Sequence, residues 1–133
     1  MLRTGIDLIE VERIDHLIIS HGQRFLERVY TEQELRDSNG RTPSLAVRMA
    51  AKEAVSKVLG CGIGLVSWKD IEIIRLKGKP PTIQLHRKAA KRAQDLGISS
   101  IALSLSHSKE YAIASIVCES LNSNTLPIIN KSK

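Results

Sequence analysis

The sequence predicts an α+β fold: a small antiparallel sheet packed against one long helix, with short helices around it. Three observations carry this expectation. Residues 101–106 alternate Ile-Ala-Leu-Ser-Leu-Ser, and residues 111–118 read Tyr-Ala-Ile-Ala-Ser-Ile-Val-Cys, with Ser108-Lys109-Glu110 as the turn between them. Two such runs joined by a short polar turn form an antiparallel hairpin. Near the N-terminus, Ile6, Leu8, Ile9 and Val11 suit a buried strand that gives way to a helix. The longest helical pattern covers residues 42–59, with Thr42 as N-cap, Pro43 at the first helical position and Gly60 past the end.

The remaining elements follow in order. Ile14, Leu17 and Ile18 mark a short amphipathic helix over residues 12–21, with Arg13 and His16 toward solvent and Gly22 as its stop. Phe25, Leu26 and Val29 fit another short helical turn. Thr31-Glu32-Gln33-Glu34 is a capping-box pattern, in which the hydroxyl takes an orphan backbone N–H and Glu34 reaches back. That helix ends at Ser38-Asn39-Gly40. The glycines of residues 60–64 make a loop. Ile71 and Ile73 open a strand, Lys77-Gly78-Lys79-Pro80-Pro81 turns the chain, and residues 82–85 form a short second strand. Residues 86–96 give a basic amphipathic helix closed by Gly97. The expected division is one domain over residues 1–119 and a loosely held polar tail over 120–133.

Composition narrows the function. A chain of 133 residues with 42% apolar and 26% charged residues is one globular domain rather than a disordered segment. Phe25, Tyr30, Trp68 and Tyr111 are all the aromatics. Single strands of nucleic acid are gripped by stacking platforms, which so few rings do not build, so nucleic acid is not expected as a partner. The net charge of +6 points to acidic or phosphorylated partners. Basic residues concentrate at Arg24/Arg28, Lys69/Arg75/Lys77/Lys79 and Arg87/Lys88/Lys91/Arg92. Cys61 and Cys118 belong to no metal or redox pattern and read as reduced thiols, and charged residues interrupt any leader core. With no apolar run long enough to span a bilayer, a cytoplasmic protein without a membrane partner is expected.

Few residues can carry chemistry. No HxxxH, CxxC, Walker loop or GxSxG elbow is present. What remains suits oxygen ligation of a hard cation. Asp7 reads either as a helix-capping acid or as a Mg²⁺ ligand. Glu53 and Lys57, four residues apart on one helical face, read either as a solvated pair or as groups holding a metal and a phosphate side by side. His107, among Ser104, Ser106 and Ser108, is either a turn residue or a phosphate contact.

The order of these blocks along the chain adds to each of them. Gly5-Ile6-Asp7-Leu8-Ile9-Glu10 comes first, followed by residues 24–35 and then Arg48-Met49-Ala50-Ala51-Lys52-Glu53-Ala54. Lys57 through Gly64, Lys69-Asp70-Ile71-Glu72-Ile73, Gly78-Lys79-Pro80 and Ser104-Leu105-Ser106-His107 complete the succession. It resembles the holo-acyl carrier protein synthases, the small class of 4′-phosphopantetheinyl transferases, over residues 4–118. The resemblance implies a 4′-phosphopantetheinyl transferase-like fold. It also implies transfer of the phosphopantetheine arm of coenzyme A to a serine of an acidic apo acyl carrier protein in fatty acid biosynthesis, releasing adenosine 3′,5′-bisphosphate. Asp7 and Glu53 match the acids that hold Mg²⁺, and Lys57 matches the lysine at the reacting phosphate. Arg48 and His107 match groups near the 3′-phosphate, and Gly78-Lys79-Pro80 matches the loop on the adenine side. Arg13, Arg24 and Arg28 match the carrier-protein docking surface. The family resemblance further implies a homotrimer with active sites at subunit boundaries, and the small-residue strand over 111–118 is a candidate for that boundary. A basic nucleic-acid-binding module and a relative that keeps coenzyme A binding without transfer are the rival readings.

Overall fold

A computed structural model describes residues 1–121. The chain runs β1 (Leu2–Glu10), α1 (Val11–His21), α2 (Gln23–Val29), α3 (Glu32–Ser38) and α4 (Thr42–Val58), then a single 3-10 turn (Trp68–Asp70). It continues through β2 (Ile71–Ile74), β3 (Thr82–Leu85), α5 (Arg87–Asp95), β4 (Ile98–His107) and β5 (Tyr111–Ser120). Two sheets form where the sequence suggested one. β1, β5 and β4 make an antiparallel sheet with β5 in the middle, and β2 pairs antiparallel with β3 in a separate ribbon.

The three-stranded sheet buries one face on α4. Ala112, Ala114, Ile116 and Cys118 of β5 are all buried, and they oppose Ile9, Asp7, Gly5 and Arg3 of β1. These residues of β5 therefore point into the core, while Tyr111, Ser115 and Val117 leave the other face of the strand exposed. Small side chains are needed there because the helix lies close. β1 approaches α4 most tightly at Gly5, where an added Cβ would stand 2.5 Å from the Ala54 carbonyl oxygen and 2.7 Å from Val58 Cγ2. The other face of the sheet carries the opposite parity, and Leu2, Ile6, Leu8 and Val117 are 64%, 57%, 60% and 42% exposed on it.

α4 is the core helix, and twelve of its residues are buried, including Arg48 and Lys52. Its start differs from the expected cap. Arg41 is the N-cap and makes no side-chain cap bond, while the Thr42 hydroxyl donates to Asp15 Oδ1 at 2.9 Å and ties α4 to α1. Proline in the first turn is as expected, since the N–H it lacks has no helical partner there. The capping box of α3 is complete: Thr31 Oγ1 accepts from the Glu34 N–H at 3.1 Å, and Glu34 Oε1 accepts from the Thr31 N–H at 2.9 Å. At its far end α4 stops at Gly60, whose φ of +71° favours glycine, and Arg92 Nε donates to the Leu59 carbonyl at 2.8 Å.

β5 continues through Ser120, which is buried and donates its hydroxyl to the Leu96 carbonyl at 2.8 Å. The tail over 122–133 lies outside the described residues. Cys61 is half-buried and Cys118 buried, both as free thiols. No described helix is long and apolar enough to cross a membrane.

Candidate active site

Strand parity sends Asp7 inward with Gly5 and Ile9, toward the last turns of α4. There Lys57 Nζ donates to Asp7 Oδ1 at 2.9 Å and to the Ile6 carbonyl at 3.0 Å. One turn back on α4, Glu53 Oε1 lies 3.8 Å from Arg13 NH1, so Arg13 faces the acid as well as solvent. Burial pushes the Glu53 carboxyl above its ordinary range, and the charge of Asp7 pushes the same way while Arg13 and Lys57 pull back. Asp7, Glu53, Lys57 and Arg13 thus form one neighbourhood of two negative and two positive charges. The sequence separated these residues by as much as fifty positions, and the close β1–α4 contact unites them.

The donor set suits Mg²⁺. Two carboxylates are hard oxygen ligands, and among the described residues no third His, Cys, Asp or Glu joins them. That ligand poverty fits an ion that keeps water and substrate phosphate in its remaining positions. The two acids now engage ammonium and guanidinium groups, which a dication and its phosphate ligands could exchange.

Arg48 and His107 meet elsewhere. His107 ends β4 with the inward parity of Leu103 and Leu105, and it lines a cleft of about 760 Å³ with Asp37, Arg41, Ser44, Arg48, Arg75 and Lys77. Arg48 NH1 donates to the Ser44 carbonyl at 3.1 Å and also to the Ser44 hydroxyl. Its Nε is buried with no partner among the described residues. Burial pulls the Arg48 pKa down, against the upward pull of Glu34 and Asp37. Arg41, Arg48, Arg75, Lys77 and His107 bring five basic side chains to this cleft against one acid, Asp37, a balance that suits an anion.

Gly78, Lys79 and Pro80 are exposed and do not line this cleft, and the turn they form begins directly after Lys77. Arg41, Arg75 and Lys77 are cleft residues that the sequence did not single out. The concentration of Lys69, Arg75, Lys77 and Lys79 was the available signal, and two of its four members reach the cleft.

Arg13, Arg24 and Arg28 converge on a third feature. They rim a groove of about 610 Å³ between α1 and α2 whose apolar lining includes Leu17, Phe25, Val29, Met49 and Trp68. Two helices therefore bring three arginines from separate turns to one mouth.

Known proteins resemble this chain in sequence and fold. The family model for the 4′-phosphopantetheinyl transferase superfamily matches residues 3–116. The chain belongs to this superfamily. Among curated transferases, the holo-acyl-carrier-protein synthase of Moorella thermoacetica is 46% identical over 123 residues, covering 90% of this chain and 95% of that protein. The synthase of Koribacter versatilis is 45% identical, with 90% and 98% covered. The fold is likewise that of solved synthases. The Helicobacter pylori enzyme in complex with coenzyme A matches with a TM-score of 0.79 at 32% identity, covering 87% of this chain and 99% of that one. The synthase from Neisseria meningitidis matches with a TM-score of 0.80 at 34% identity, with 89% and 98% covered.

Proposed function

We propose that this chain transfers the 4′-phosphopantetheine group of coenzyme A to a serine hydroxyl of an acidic apo acyl carrier protein, in the service of fatty acid biosynthesis. The serine Oγ forms a bond to the phosphorus that carries the pantetheine arm, and the bond from that phosphorus to the bridging oxygen breaks. Adenosine 3′,5′-bisphosphate leaves with the bond pair, and the serine proton passes to water. The observation that carries this reading is the convergence of Asp7, Glu53 and Lys57 in a chain of this superfamily.

Asp7 and Glu53 would hold Mg²⁺, which supplies positive charge at the diphosphate when bound. Lys57, already reaching across β1, would present its ammonium to the phosphate under attack, where charge builds on non-bridging oxygens. No protein nucleophile is required. Arg48 and His107 would receive the 3′-phosphate end, with Gly78-Lys79-Pro80 beside the adenine. Arg13, Arg24 and Arg28 would steer the acidic carrier protein.

A homotrimer with shared sites agrees with two features. Arg48 and Glu53 are five positions apart, about 140° around the axis of α4, so the helix body stands between the basic cleft and the carboxylates. The exposed Leu2, Ile6, Leu8 and Val117 give the outer sheet face an apolar surface for neighbouring copies. Free thiols accord with a reducing cytoplasm.

The test is to mix the chain with coenzyme A, Mg²⁺ and an apo carrier protein and to weigh the carrier. A phosphopantetheine-sized gain is expected, lost with chelator and in Asp7→Ala or Glu53→Ala. Absence of the gain in the parent chain refutes the reading.

A further inference from the structure

Lys52 lies beside Glu53 in sequence, yet its ammonium has no free hydrogen to offer a substrate. Its Nζ donates to Glu34 Oε1 at 2.8 Å, to the Ile71 carbonyl at 2.7 Å and to the Trp68 carbonyl at 3.0 Å. Three donors meet three acceptors. Both side chains of the Lys52–Glu34 pair are fully buried. Glu34 is equally committed, since Oε1 also accepts from the Thr31 N–H at 2.9 Å and Oε2 accepts from the Ile73 N–H at 2.8 Å. One ion pair therefore joins α3, α4, the 3-10 turn and β2.

Two of those elements, α3 and α4, wall the basic cleft, and the chain leaving β2 adds to it. α3 supplies Asp37, α4 supplies Ser44 and Arg48, and the chain leaving β2 supplies Arg75 and Lys77. Lys52 sits one helical turn after Arg48, and Ile73 sits two residues before Arg75. The network extends outward as well. Thr31 Oγ1 donates to Glu72 Oε2 at 2.7 Å, and Glu72 Oε1 bonds His86 Nε2 at 3.0 Å. A buried ion pair adds little net stability over apolar residues of similar volume, because desolvation offsets most of the attraction. What it does impose is geometry.

We propose that Glu34 and Lys52 are positioning residues for the anion cleft, holding Arg48, Arg75 and Lys77 at the spacing that grips a nucleoside bisphosphate without touching it. This rests on the reading of the cleft as the nucleotide end of the coenzyme A site. The three reaction-centre residues Asp7, Glu53 and Lys57 depend on the β1–α4 contact instead, so the brace acts on binding and leaves the chemical step alone.

The test compares the parent chain, Lys52→Met and the double variant Glu34→Gln/Lys52→Met. The single variant strands a buried carboxylate and melts early. The double variant removes both charges and keeps a cap acceptor, so its melting temperature recovers toward the parent. In the recovered protein, adenosine 3′,5′-bisphosphate binds about tenfold more weakly by calorimetry. KM for coenzyme A rises by the same factor, and kcat stays within about twofold. A purely structural pair predicts the opposite: loss of kcat in proportion to unfolded protein, with KM unchanged.

Parental affinity in the folded double variant overturns the proposal. Should that variant not fold, Glu72→Ala cuts the outer link while leaving the Thr31–Glu34 capping box in place, and bisphosphate affinity unchanged there also overturns it. A parent chain that binds the bisphosphate but never modifies a carrier refutes the transferase reading while the calorimetric comparison still decides the brace.

Discussion

Gly5→Ala is the smallest change that should disturb the proposed reaction centre of Asp7, Glu53 and Lys57. The glycine is required by proximity and not by backbone angle. An added Cβ would lie 2.5 Å from the Ala54 carbonyl oxygen, and ordinary van der Waals contact begins only at 3.4 Å. A helical carbonyl cannot swing aside as the end of a side chain can, so β1 must back away by about 1 Å. Overpacking of this kind costs about 1–3 kcal/mol. For a domain of this size each kcal/mol lowers the melting point by about 3–5 °C, so Gly5→Ala should melt several degrees early. The same shift lifts Asp7 away from Lys57, whose 2.9 Å contact spans that gap, and moves it relative to Glu53. We therefore expect the Mg²⁺ concentration for half-maximal transfer to rise at temperatures well below the melt, where the variant is folded. A melting curve superimposable on the parent's, together with an unchanged Mg²⁺ requirement, would show that β1 and α4 are not locked together at this point.

Three further expectations concern the surrounding features. Arg24→Glu places a negative charge at the mouth of the arginine-rimmed groove and should weaken carrier-protein binding about tenfold at low salt, less at high salt, with coenzyme A binding intact. Equal loss of both partners in calorimetry rejects the docking assignment. His107→Ala should raise KM for coenzyme A about tenfold while leaving dephospho-coenzyme A, which lacks the 3′-phosphate, nearly unaffected, and a parallel rise for both removes His107 from that contact. Burial pushes the Glu72 carboxyl up, but hydrogen bonds from Thr31 and His86, with the charges of His86 and Lys52, outweigh it and hold the group below its ordinary range. A folded pKa below the unfolded one contributes stability that is complete above the unfolded value and is lost as pH falls through the folded value. Glu72→Gln should therefore cost about 1–2 kcal/mol near neutrality and progressively less in acid, and thermal melts with a constant gap across the acid limb would contradict this.

How far these features could be read from the sequence depended on how local their causes were. The hairpin of β4 and β5, the capping box of α3 and the glycine end of α4 are set by neighbours a few positions apart, so periodicity and cap chemistry revealed them. Thr42 is not the cap because the helix begins one residue earlier than its pattern suggested, with Arg41 as N-cap, and the Thr42 hydroxyl donates to Asp15 of α1. The small residues of β5 suggested a close contact, and there is one, but periodicity does not tell which face of a two-faced strand meets the helix. Lys52 is the clearest case of a role hidden from sequence. A lysine one position before a candidate ligand looks like a second charge for the substrate, and only the fold brings Glu34, Trp68 and Ile71 around its ammonium. Desolvation pulls its pKa down by more than the charge and hydrogen bond of Glu34 raise it, and its three hydrogen bonds to Glu34, Trp68 and Ile71 make it part of the architecture. Lys57, five positions on and about half exposed, reaches the Asp7 carboxylate at the open edge instead. That division follows from α4 itself, because five residues carry a side chain more than a third of a turn around the helix, from the core to the open edge beside β1.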